Sequence, residues 1–548
     1  MADALSRQGV DTLFTLGGGH IVELLDGCID ASIRVVGMRH EGAATLAAEG
    51  WALATGLTGV AAVTAGPGFS NALTGFVDAS VGNVPLVLIA GRTGLRLAGR
   101  GAIMDVEQRA MVSPVAKWAT TCYRGEMIGR STEEAIYRAR SGRPGAVYLE
   151  VPHDVLSARI VPTADASGFP LALGRAPAAP EDVARAVEAI ERASRPIVLA
   201  GSGAFWSGAG DEIARLCEVA QLPVATTSAA RGLIPDSHPW CLGSLIHAGA
   251  ALIAADLVIV LGSAFNANLL YGSPPLFGPD QVVIQVDLVA EQLGGNRLPQ
   301  IALQGDVGRV VASIAAARPR APESRGAWLA EARSLVGFSL DTWERQVAEH
   351  QGPGIHPGAL VRQVAAFARE VAGDAVTLVA DGGDILTWAL AYFYAGGPGR
   401  MLSTTTALGT LGVGLPFALA AKLARPDEPV ILMTGDGAFG LTAMELDTAV
   451  RHSLPVVVVV ANNAGWGDVR HHQTEVFGRE IGSALRDTRY DLLAEALGGH
   501  GEDVRDLAEL RPALQRAFDS GVAAVVNVET DPAVLSELLR AMVGMGIM

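Results

Sequence analysis

Short apolar runs alternate with alanine-rich amphipathic stretches along most of this chain. Two examples near the C-terminus are residues 429–434 and 454–461, and each of them ends in a polar loop. Continuous apolar runs of this length are typical of strands buried on both faces of a parallel sheet, and the stretches between them have the composition of helices. The repeated βα pattern predicts an α/β protein whose domains are doubly wound around parallel sheets.

Proline-rich stretches divide this pattern into three parts. One lies at residues 175–180 and another at 317–322. A chain of 548 residues is too long for a single hydrophobic core, and clusters of proline and glycine commonly mark linkers. We therefore predict three domains, at residues 1–170, 180–317 and 350–548.

Composition narrows the expected partners and location. Half of the residues are hydrophobic, 18% are charged, and the net charge is −16. An acidic protein of this kind is not expected to bind nucleic acid or an anionic membrane. The first residues lack the charged and apolar regions of a signal peptide, no apolar run is long enough for a transmembrane helix, and the cysteines are scattered without metal-ligand spacing. We expect a cytoplasmic protein.

The turn Gly435-Asp436-Gly437 and the pair Asn462-Asn463 carry the strongest chemical signal, because each follows one of the two apolar runs. A lone Gly-Asp-Gly is more often a turn than a ligand site. Here, however, both loops are expected at the carboxyl edge of a parallel sheet, where open α/β folds bind ligands. Mg²⁺ prefers oxygen ligands that it shares with phosphates. The two loops predict a magnesium ion that bridges the protein to a diphosphate.

Together the two segments resemble the diphosphate-binding motif of thiamine diphosphate-dependent enzymes of the acetolactate synthase superfamily. The resemblance extends over nearly the whole chain, and it implies a pyrimidine-binding, a central and a diphosphate-binding domain. It implies that Mg²⁺ is bound by the side chains of Asp436 and Asn463 and by the carbonyl of Gly465. The residues that it places against the cofactor in this domain are Gly435, Asp436, Gly437, Ala438, Asn463, Gly465 and Trp466.

The N-terminal part contains the other half of this resemblance. Glu41, in Arg39-His40-Glu41, resembles the family's catalytic glutamate, which hydrogen-bonds to the cofactor's pyrimidine ring and favours its imino tautomer. Taken alone, Glu41 would be read as an acid that stabilises a helix N-terminus. A second segment, residues 64–71, matches the family's glycine loop and supports the catalytic reading. The cofactor-binding residues implied there are Gly66, Pro67, Gly68 and Asn71.

A further glycine-rich segment lies at residues 409–416. The resemblance implies that Gly409 contacts the cofactor and that Leu411 is the apolar residue that holds the cofactor in its bent shape. Without the resemblance, Leu411 would be read as an ordinary core residue.

The glycine-rich segment at residues 16–21 separates branches of the family, because benzaldehyde lyase-like enzymes carry a histidine there. His20 is therefore a candidate catalytic residue that orients the substrate hydroxyl or relays its proton, and Gly19 is expected to line the substrate pocket. The alternative is a solvated loop histidine.

Two departures from the family pattern concern the substrate pocket. Met104 stands where many relatives have a glutamine, and methionine is no strong donor. Gln108 is interpreted as a neighbouring loop position without a catalytic role. Asp468 stands where benzaldehyde lyase-like proteins carry a small residue. It either faces solvent or pairs with Arg470, or it lies in the pocket and repels anionic 2-keto acids.

The central domain and the assembly are less constrained. Gly201-Ser202-Gly203 follows an apolar run but does not complete a GxGxxG pattern, which favours a structural turn over nucleotide binding. The family implies FAD, an ADP moiety or no ligand in this domain. It also implies a homodimer or homotetramer with active sites at the subunit interface.

The leading hypothesis is a thiamine diphosphate- and magnesium-dependent carbon–carbon lyase or carboligase. It would cleave or form 2-hydroxy ketones from aldehydes through an enamine intermediate. The alternatives are an acetolactate synthase-like transferase that acts on 2-keto acids and a 2-hydroxyacyl-CoA lyase. A catalytically silent protein is disfavoured because Glu41, Asp436 and Asn463 are all present.

Overall fold

Three six-stranded sheets form the framework of the computed structural model, which describes residues 1–160, 168–169, 174–404 and 408–544. All paired strands within these sheets are parallel, and helices connect them. The predicted fold class, an α/β protein with three doubly wound domains, is confirmed. Within the described residues no helix combines the length and hydropathy that a membrane span requires.

The first sheet has the strand order β2-β1-β3-β4-β6-β5. Its strands are β1 (Thr12–Leu16), β2 (Arg34–Gly37), β3 (Gly59–Val63), β4 (Leu86–Arg92), β5 (Trp118–Thr121) and β6 (Ala146–Pro152). Its helices are α1 (Ala2–Arg7), α2 (Val22–Asp30), α3 (Glu41–Thr55), α4 (Pro67–Gly82), α5 (Gln108–Val112), α6 (Ile128–Arg140) and α7 (His153–Leu156). The strand order reverses between β1 and β3, and open α/β sheets bind ligands outside the carboxyl ends of the strands at such a point.

The second sheet has the order β12-β11-β10-β7-β8-β9. Its strands are β7 (Pro196–Ala200), β8 (Val224–Thr226), β9 (Cys241–Ser244), β10 (Leu257–Leu261), β11 (Val282–Asp287) and β12 (Ile301–Gln304). The helices of this part are α8 (Pro180–Arg192), α9 (Ser202–Ser207), α10 (Gly210–Ala220), α11 (Leu245–Ala254) and α12 (Val307–Ala316), and α13 (Trp328–Ala348) follows.

The third sheet has the order β14-β13-β15-β16-β18-β17, and its order reverses between β13 and β15. Its strands are β13 (Thr377–Asp381), β14 (Met401–Ser403), β15 (Val430–Gly435), β16 (Val457–Asn462), β17 (His500–Val504) and β18 (Ala524–Glu529). The helices are α14 (Pro357–Ala372), α15 (Asp384–Tyr392), α16 (Gly414–Ala424), α17 (Asp436–Thr442), α18 (Glu445–Arg451), α19 (Gly467–Phe477), α20 (Tyr490–Ala496), α21 (Leu507–Asp519) and α22 (Glu537–Gly544).

The chain forms two compact units, and only their boundary before residue 174 lies beside a predicted linker. Unit 1 contains residues 1–173, 406–427 and 441–456, and unit 2 contains residues 174–405, 428–440 and 457–548. Helices α16 and α18 therefore belong to unit 1 although they lie late in the sequence. A Cβ atom at Gly50 of α3 would lie 2.8 Å from the Cα of Phe417 in α16, so only a glycine allows these two helices to approach this closely.

Each sheet is covered on its faces by buried aliphatic and aromatic side chains. Strands β3, β7, β10 and β13 are buried along their whole length, which is the reason their sequences are almost continuously apolar. The four cysteines, Cys28, Cys122, Cys217 and Cys241, are free thiols. The predicted boundaries of the three domains stay a prediction.

Candidate active site

In unit 1, the reversal between β1 and β3 brings together the loops that hold His20 and Thr64. The His20 Nδ1 lies 3.1 Å from the Thr64 Oγ1, and the His20 ring lies edge-on to His153 with centroids 5.8 Å apart. Burial and the neighbouring His153 lower the pKa of His20, so its imidazole is neutral at neutral pH. Gly19 is exposed next to it. His20 is thus a partly buried residue that contacts Thr64 and His153, and not a free loop histidine.

Glu41 is the first residue of α3, and its side chain is buried. The Asn71 Nδ2 donates a hydrogen bond to the Glu41 Oε2 at 3.0 Å, while a Cβ atom at Gly68 would lie 3.5 Å from the Glu41 Oε1. The glycine is needed for space, because the same Cβ would lie 2.8 Å from the Thr64 side chain. The structure therefore brings together Glu41, Gly68 and Asn71 as the sequence predicts.

The turn at the start of α4 also has a fixed conformation. Gly66 precedes Pro67, the first residue of the helix, and has a φ of 62°, which is a region that favours glycine. Met104 has a φ of 61° and packs on Gly66, because a Cβ atom on that glycine would lie 2.8 Å from the Met104 Cβ. Met104 therefore lies against the glycine loop, beside the residues predicted to bind the cofactor.

Gln108 corrects the interpretation made from sequence. It is no loop residue but the first residue of α5, and its side chain is fully buried. Its Oε1 accepts a hydrogen bond from the Gly66 N–H at 2.8 Å, and its Nε2 donates to the Gly91 carbonyl at 3.0 Å and to the Tyr148 hydroxyl at 2.9 Å. The hydrogen bond from Gly66 to the buried Gln108 side chain thus fixes the position of the glycine loop.

Sequence reasoning missed a buried ionic network that contacts Gln108 through Tyr148. Its centre is Glu150 in β6, whose Oε1 accepts from Arg92 at 3.0 Å and from Thr121 at 2.9 Å. Tyr148 donates to the Glu150 Oε2 at 3.1 Å, and burial raises the pKa of Tyr148 well above its usual value. The sequence did contain a signal for this network, because Glu150 is a charged residue inside an otherwise apolar strand. Such a residue needs buried partners.

The segment with Gly409 and Leu411 belongs to unit 1 and is fixed at both ends. The Thr410 Oγ1 donates to the Asp78 Oδ1 at 2.9 Å, and the Thr442 Oγ1 donates to the Gly412 carbonyl at 3.0 Å. Leu411 is half-buried and Gly409 is exposed. The loop is therefore held in one position while the Leu411 side chain keeps part of its surface accessible.

In unit 2, Asp436 begins α17 directly after β15 and is buried. Its Oδ2 accepts a hydrogen bond from the Gly465 N–H at 2.9 Å. Burial raises the pKa of Asp436 to about 6, although neighbouring backbone N–H groups oppose the shift. The two motif loops are joined here because β15 and β16 are adjacent, with Gly435 level with Ala461.

Two properties of the same loops suit a magnesium–diphosphate group. One is an oxygen acceptor without a partner, and the other is the close packing of the backbone. Within the described residues the Asn463 Oδ1 is buried and has no hydrogen-bond partner, whereas buried oxygens are normally satisfied. The Trp466 ring lies on Gly437, where a Cβ atom would be 2.7 Å from the ring, and the next residue, Ala438, is buried. A metal that took the Asp436 carboxylate and the Asn463 amide oxygen would satisfy both groups.

Asp468 does not pair with Arg470, so that alternative is wrong. The Arg470 guanidinium donates to the Asn463 carbonyl at 3.0 Å and to the Ala464 carbonyl at 2.7 Å, and its Nε lies 3.2 Å from Glu480. Asp468 is instead half-buried, and burial raises its pKa.

Asp384, which sequence reasoning did not single out, begins α15 and influences the same site as Asp468. Burial raises the pKa of Asp384 to about 7, and the charge of Asp468 adds to this shift. The signal in the sequence was a carboxylate directly after the strand-ending glycines Gly382 and Gly383.

The glycines at 201 and 203 in the central part have a structural explanation. A Cβ atom at Gly201 would lie 2.5 Å from the Ser263 Cβ, and one at Gly203 would lie 2.8 Å from the Gly262 Cα. The loops after β7 and β10 therefore touch. These two strands are neighbours at the point where the strand order of the second sheet reverses. This packing agrees with the structural turn that the sequence favoured over nucleotide binding.

Family models match most of the chain. The N-terminal TPP binding domain of thiamine pyrophosphate enzymes matches residues 1–111, the central domain matches residues 183–314, and the C-terminal TPP binding domain matches residues 381–528. This chain belongs to the thiamine pyrophosphate-dependent enzymes. The resemblance inferred from Glu41 and from the Asp436 and Asn463 loops is confirmed, and thiamine pyrophosphate is the same compound as thiamine diphosphate.

Relatives within this family carry two kinds of name. An acetolactate synthase large subunit of Mycobacterium tuberculosis is 35% identical over 97% of this chain and 95% of its own length. The 2-hydroxyacyl-CoA lyase 2 of Homo sapiens is 33% identical over 96% of this chain and 89% of its own. A 2-hydroxyacyl-CoA lyase of Oryza sativa is 31% identical over 96% and 94%. This thiamine pyrophosphate-dependent enzyme is thus similar to proteins of two reaction types.

Proposed function

We propose that this protein is a thiamine diphosphate- and Mg²⁺-dependent carbon–carbon lyase or carboligase that cleaves or forms 2-hydroxy ketones from aldehydes. The observation that carries the choice of substrate is the half-buried carboxyl of Asp468, which forms no salt bridge among the described side chains and lies near the buried Asp384. His472 is the basic side chain that acts on it. A carboxylate at this position disfavours an anionic 2-keto acid and accepts a neutral aldehyde.

The diphosphate end of the cofactor would be held by the loops of unit 2. Mg²⁺ would be bound by the Asp436 carboxylate, the Asn463 amide oxygen and the Gly465 carbonyl, in keeping with its preference for oxygen ligands. Support comes from the bond between Asp436 and Gly465 and from the free oxygen of Asn463. The Trp466 ring on Gly437 would keep this part of the site rigid.

The residues of unit 1 would transfer protons and contact the substrate. Bound thiamine diphosphate supplies the nucleophilic carbon and the electron sink for cleavage beside a carbonyl. Glu41 would exchange a proton with the pyrimidine ring, and its bond from Asn71 fixes the orientation of the carboxyl. His20, whose imidazole is neutral at neutral pH, would accept a proton from the substrate hydroxyl. Gly19 and Met104 would line the pocket.

Leu411 would support the bent cofactor from its fixed loop. Both of its neighbours in sequence, Thr410 and Gly412, are held by hydrogen bonds, and its partly exposed side chain leaves surface for contact. Gly66, Pro67, Gly68 and Gly409 would complete the backbone that surrounds the cofactor.

An activity panel tests the proposal against its alternatives. The purified protein, supplied with thiamine diphosphate and Mg²⁺, is assayed with benzoin, pyruvate, formaldehyde and a 2-hydroxyacyl-CoA. Cleavage of the hydroxy ketone supports the lyase, and dominant turnover of pyruvate would instead indicate the acetolactate synthase-like transferase that one relative's name suggests. Turnover of the CoA ester alone would favour the other relative's reaction.

Two variants test the roles within the site. Glu41→Gln should keep cofactor binding and lower kcat by about 10²-fold or more, because the proton exchange is lost. Asp436→Asn should weaken binding of the cofactor in the presence of Mg²⁺. Full activity of Glu41→Gln would reject the role proposed for the glutamate.

The family resemblance further suggests a homodimer or homotetramer in which each chain completes its neighbour's site, and mixed oligomers test this. Subunits carrying Glu41→Gln and subunits carrying Asp436→Asn should each have little activity separately. After they are mixed and exchanged, sites that combine residues of two chains should regain up to about a quarter of wild-type activity. No recovery, with exchange verified by tagged subunits, would place each site within one chain.

The spectrum of the purified protein tests the central domain. A bound yellow flavin would support FAD binding and an acetolactate synthase-like function, and a colourless protein would leave ADP or no ligand as the alternatives.

A further inference from the structure

Two acidic side chains meet at the carboxyl edge of the third sheet, at the start of α15 and α19. A Cβ atom at Gly383 would lie 3.1 Å from the Asp468 Cβ and 3.2 Å from its Oδ2, so this carboxyl rests on the Gly383 backbone. A Cβ atom at Gly467 would lie 3.9 Å from the Asp384 Cβ. Segments 383–384 and 467–468 therefore pack directly on each other, with the two carboxyls on facing elements.

These carboxyls keep unsatisfied hydrogen-bond acceptors. Asp384 is only 8% exposed, and its Oδ1 is buried with no hydrogen-bond partner among the described residues, although the Ser536 N–H donates to this carboxyl. The Asp468 Oδ1 is likewise buried and has no partner in the described part of the chain. Leaving a buried acceptor unsatisfied costs more than forming its bond gains, so both oxygens favour a donor from a ligand.

The charges around the pair disfavour an anionic ligand. Burial and the Asp468 charge raise the pKa of Asp384 to about 7, so the two carboxyls act on each other as like charges. His472 opposes the rise in the pKa of Asp468. Arg470 is engaged elsewhere, and the pKa of His471 is lowered by burial, so neither neutralises the pair.

The pair also lies next to the residue proposed to hold the metal. A Cβ atom at Gly467 would lie 2.6 Å from the Asn463 Nδ2 on one side and 3.9 Å from the Asp384 Cβ on the other. Asp384 and Asp468 are therefore close to the diphosphate-binding loops, at the reversal of strand order between β13 and β15 where open sheets bind ligands.

We propose that Asp384 and Asp468 form a substrate-recognition site that accepts hydrogen bonds from the hydroxyl of an uncharged aliphatic hydroxyaldehyde or hydroxyketone and rejects 2-keto acids. This inference rests on the proposed lyase or carboligase function and names its substrate class. A hydroxyl satisfies an unpartnered oxygen, an aromatic aldehyde has no such donor, and a carboxylate adds a like charge.

Substrate competition with the holoenzyme tests the site. Wild-type protein with thiamine diphosphate and Mg²⁺ should turn over glycolaldehyde at least tenfold more efficiently, in kcat/KM, than pyruvate or benzaldehyde. Asp384→Ala should lower kcat/KM for glycolaldehyde about tenfold, mainly through KM, and leave benzaldehyde unchanged. Asp468→Asn should raise kcat/KM for pyruvate about tenfold. Glu475→Gln, an exposed acid on the same helix, is the matched control and should change none of these ratios.

A binding measurement complements the kinetics. Saturation-transfer NMR compares hydroxyacetone with acetone, which differ by one hydroxyl, and wild-type protein should give the stronger signal for hydroxyacetone. Asp384→Ala should equalise the two signals while its Tm stays close to that of the Glu475→Gln control. Equal signals in the wild type, or unchanged selectivity in both aspartate variants, would overturn the inference.

Cofactor binding separates the two possible failures. Quenching of tryptophan fluorescence by thiamine diphosphate reports the cofactor site in wild type and in each variant. A wild-type protein that does not bind the cofactor contradicts the proposed function itself. A protein that binds the cofactor and cleaves hydroxy ketones, but shows no effect of the aspartate variants on selectivity, contradicts only this inference.

Discussion

The Asn71 Nδ2 donates to the Glu41 Oε2 at 3.0 Å, and this bond ties the N-terminal part of α4 to the first residue of α3. It holds one carboxyl oxygen and leaves the other directed towards Gly68. Asn71 therefore orients the acid that we propose exchanges a proton with the cofactor.

Asn71→Ala should lower kcat roughly tenfold, a smaller effect than that of Glu41→Gln, because the carboxyl remains but is no longer oriented. Asn71→Asp is a second useful variant. It keeps the size of the side chain but replaces the amide donor by a carboxylate, which adds a second negative charge beside Glu41. Steady-state kinetics with saturating cofactor measure both. Equal kcat for Asn71→Ala and wild type would show that the bond has no part in orienting Glu41.

Gly465 tolerates no side chain. A Cβ atom there would overlap the Arg470 Nη2 and lie 2.8 Å from the Ser483 carbonyl, so the loop would have to move. Gly465→Ala should weaken Mg²⁺-dependent cofactor binding roughly tenfold, as measured by fluorescence titration, because Arg470 would release the Asn463 and Ala464 carbonyls. Gly440→Ala, with open space around its Cβ, is the control and should bind the cofactor as wild type does.

Asp384 makes stability depend on pH. The pKa of its carboxyl rises from 3.8 to about 7 on folding, so between these values the folded protein holds a proton that the unfolded chain has lost. Stability contributed by this group is therefore present at low pH and is lost as the pH rises to about 7. Asp384→Asn should raise Tm by a few degrees at pH 8 and have no effect at pH 4, as followed by differential scanning fluorimetry. A Tm difference that stays constant with pH would contradict the assignment.

The Thr410 hydroxyl anchors the loop that carries Leu411. Thr410→Val keeps the shape but removes the donor to Asp78, which leaves a buried acceptor weakened. Cofactor affinity should fall a few-fold, by roughly 1 kcal/mol of binding free energy, because the loop loses its fixed position. Thr410→Ser should restore the affinity. If valine and serine variants bind the cofactor equally, the hydroxyl does not position Leu411.

Much of the site could be predicted because it depends on local order. An apolar run followed by a polar turn places Asp436 at a strand end, and parallel strands bring that turn beside the one that holds Asn463. The same reasoning, together with the family resemblance, led from Glu41 to the glycine loop that starts α4. These residues are close to their strand ends in sequence, so spacing indicated the loops of Asp436 and Asn463, while the family resemblance pointed to Glu41.

The rest required knowledge of which strands are neighbours. Asp384 follows β13 and Asp468 follows β16, and their facing positions depend on the reversal of strand order and on helix starts far apart in sequence. Gln108 was misread because the partners of its amide, Gly66, Gly91 and Tyr148, lie on three separate segments. A single sequence gives the residue types of such a network but not their pairing.

The packing of α16 against α3 has a consequence for the order in which the chain folds. Gly50 lies in the first tenth of the sequence, yet the residue that covers it, Phe417, is synthesised more than 300 residues later. Domains generally fold as units during synthesis, starting at the N-terminus. During translation, the α3 surface around Gly50 must therefore stay uncovered until about three quarters of the chain has emerged.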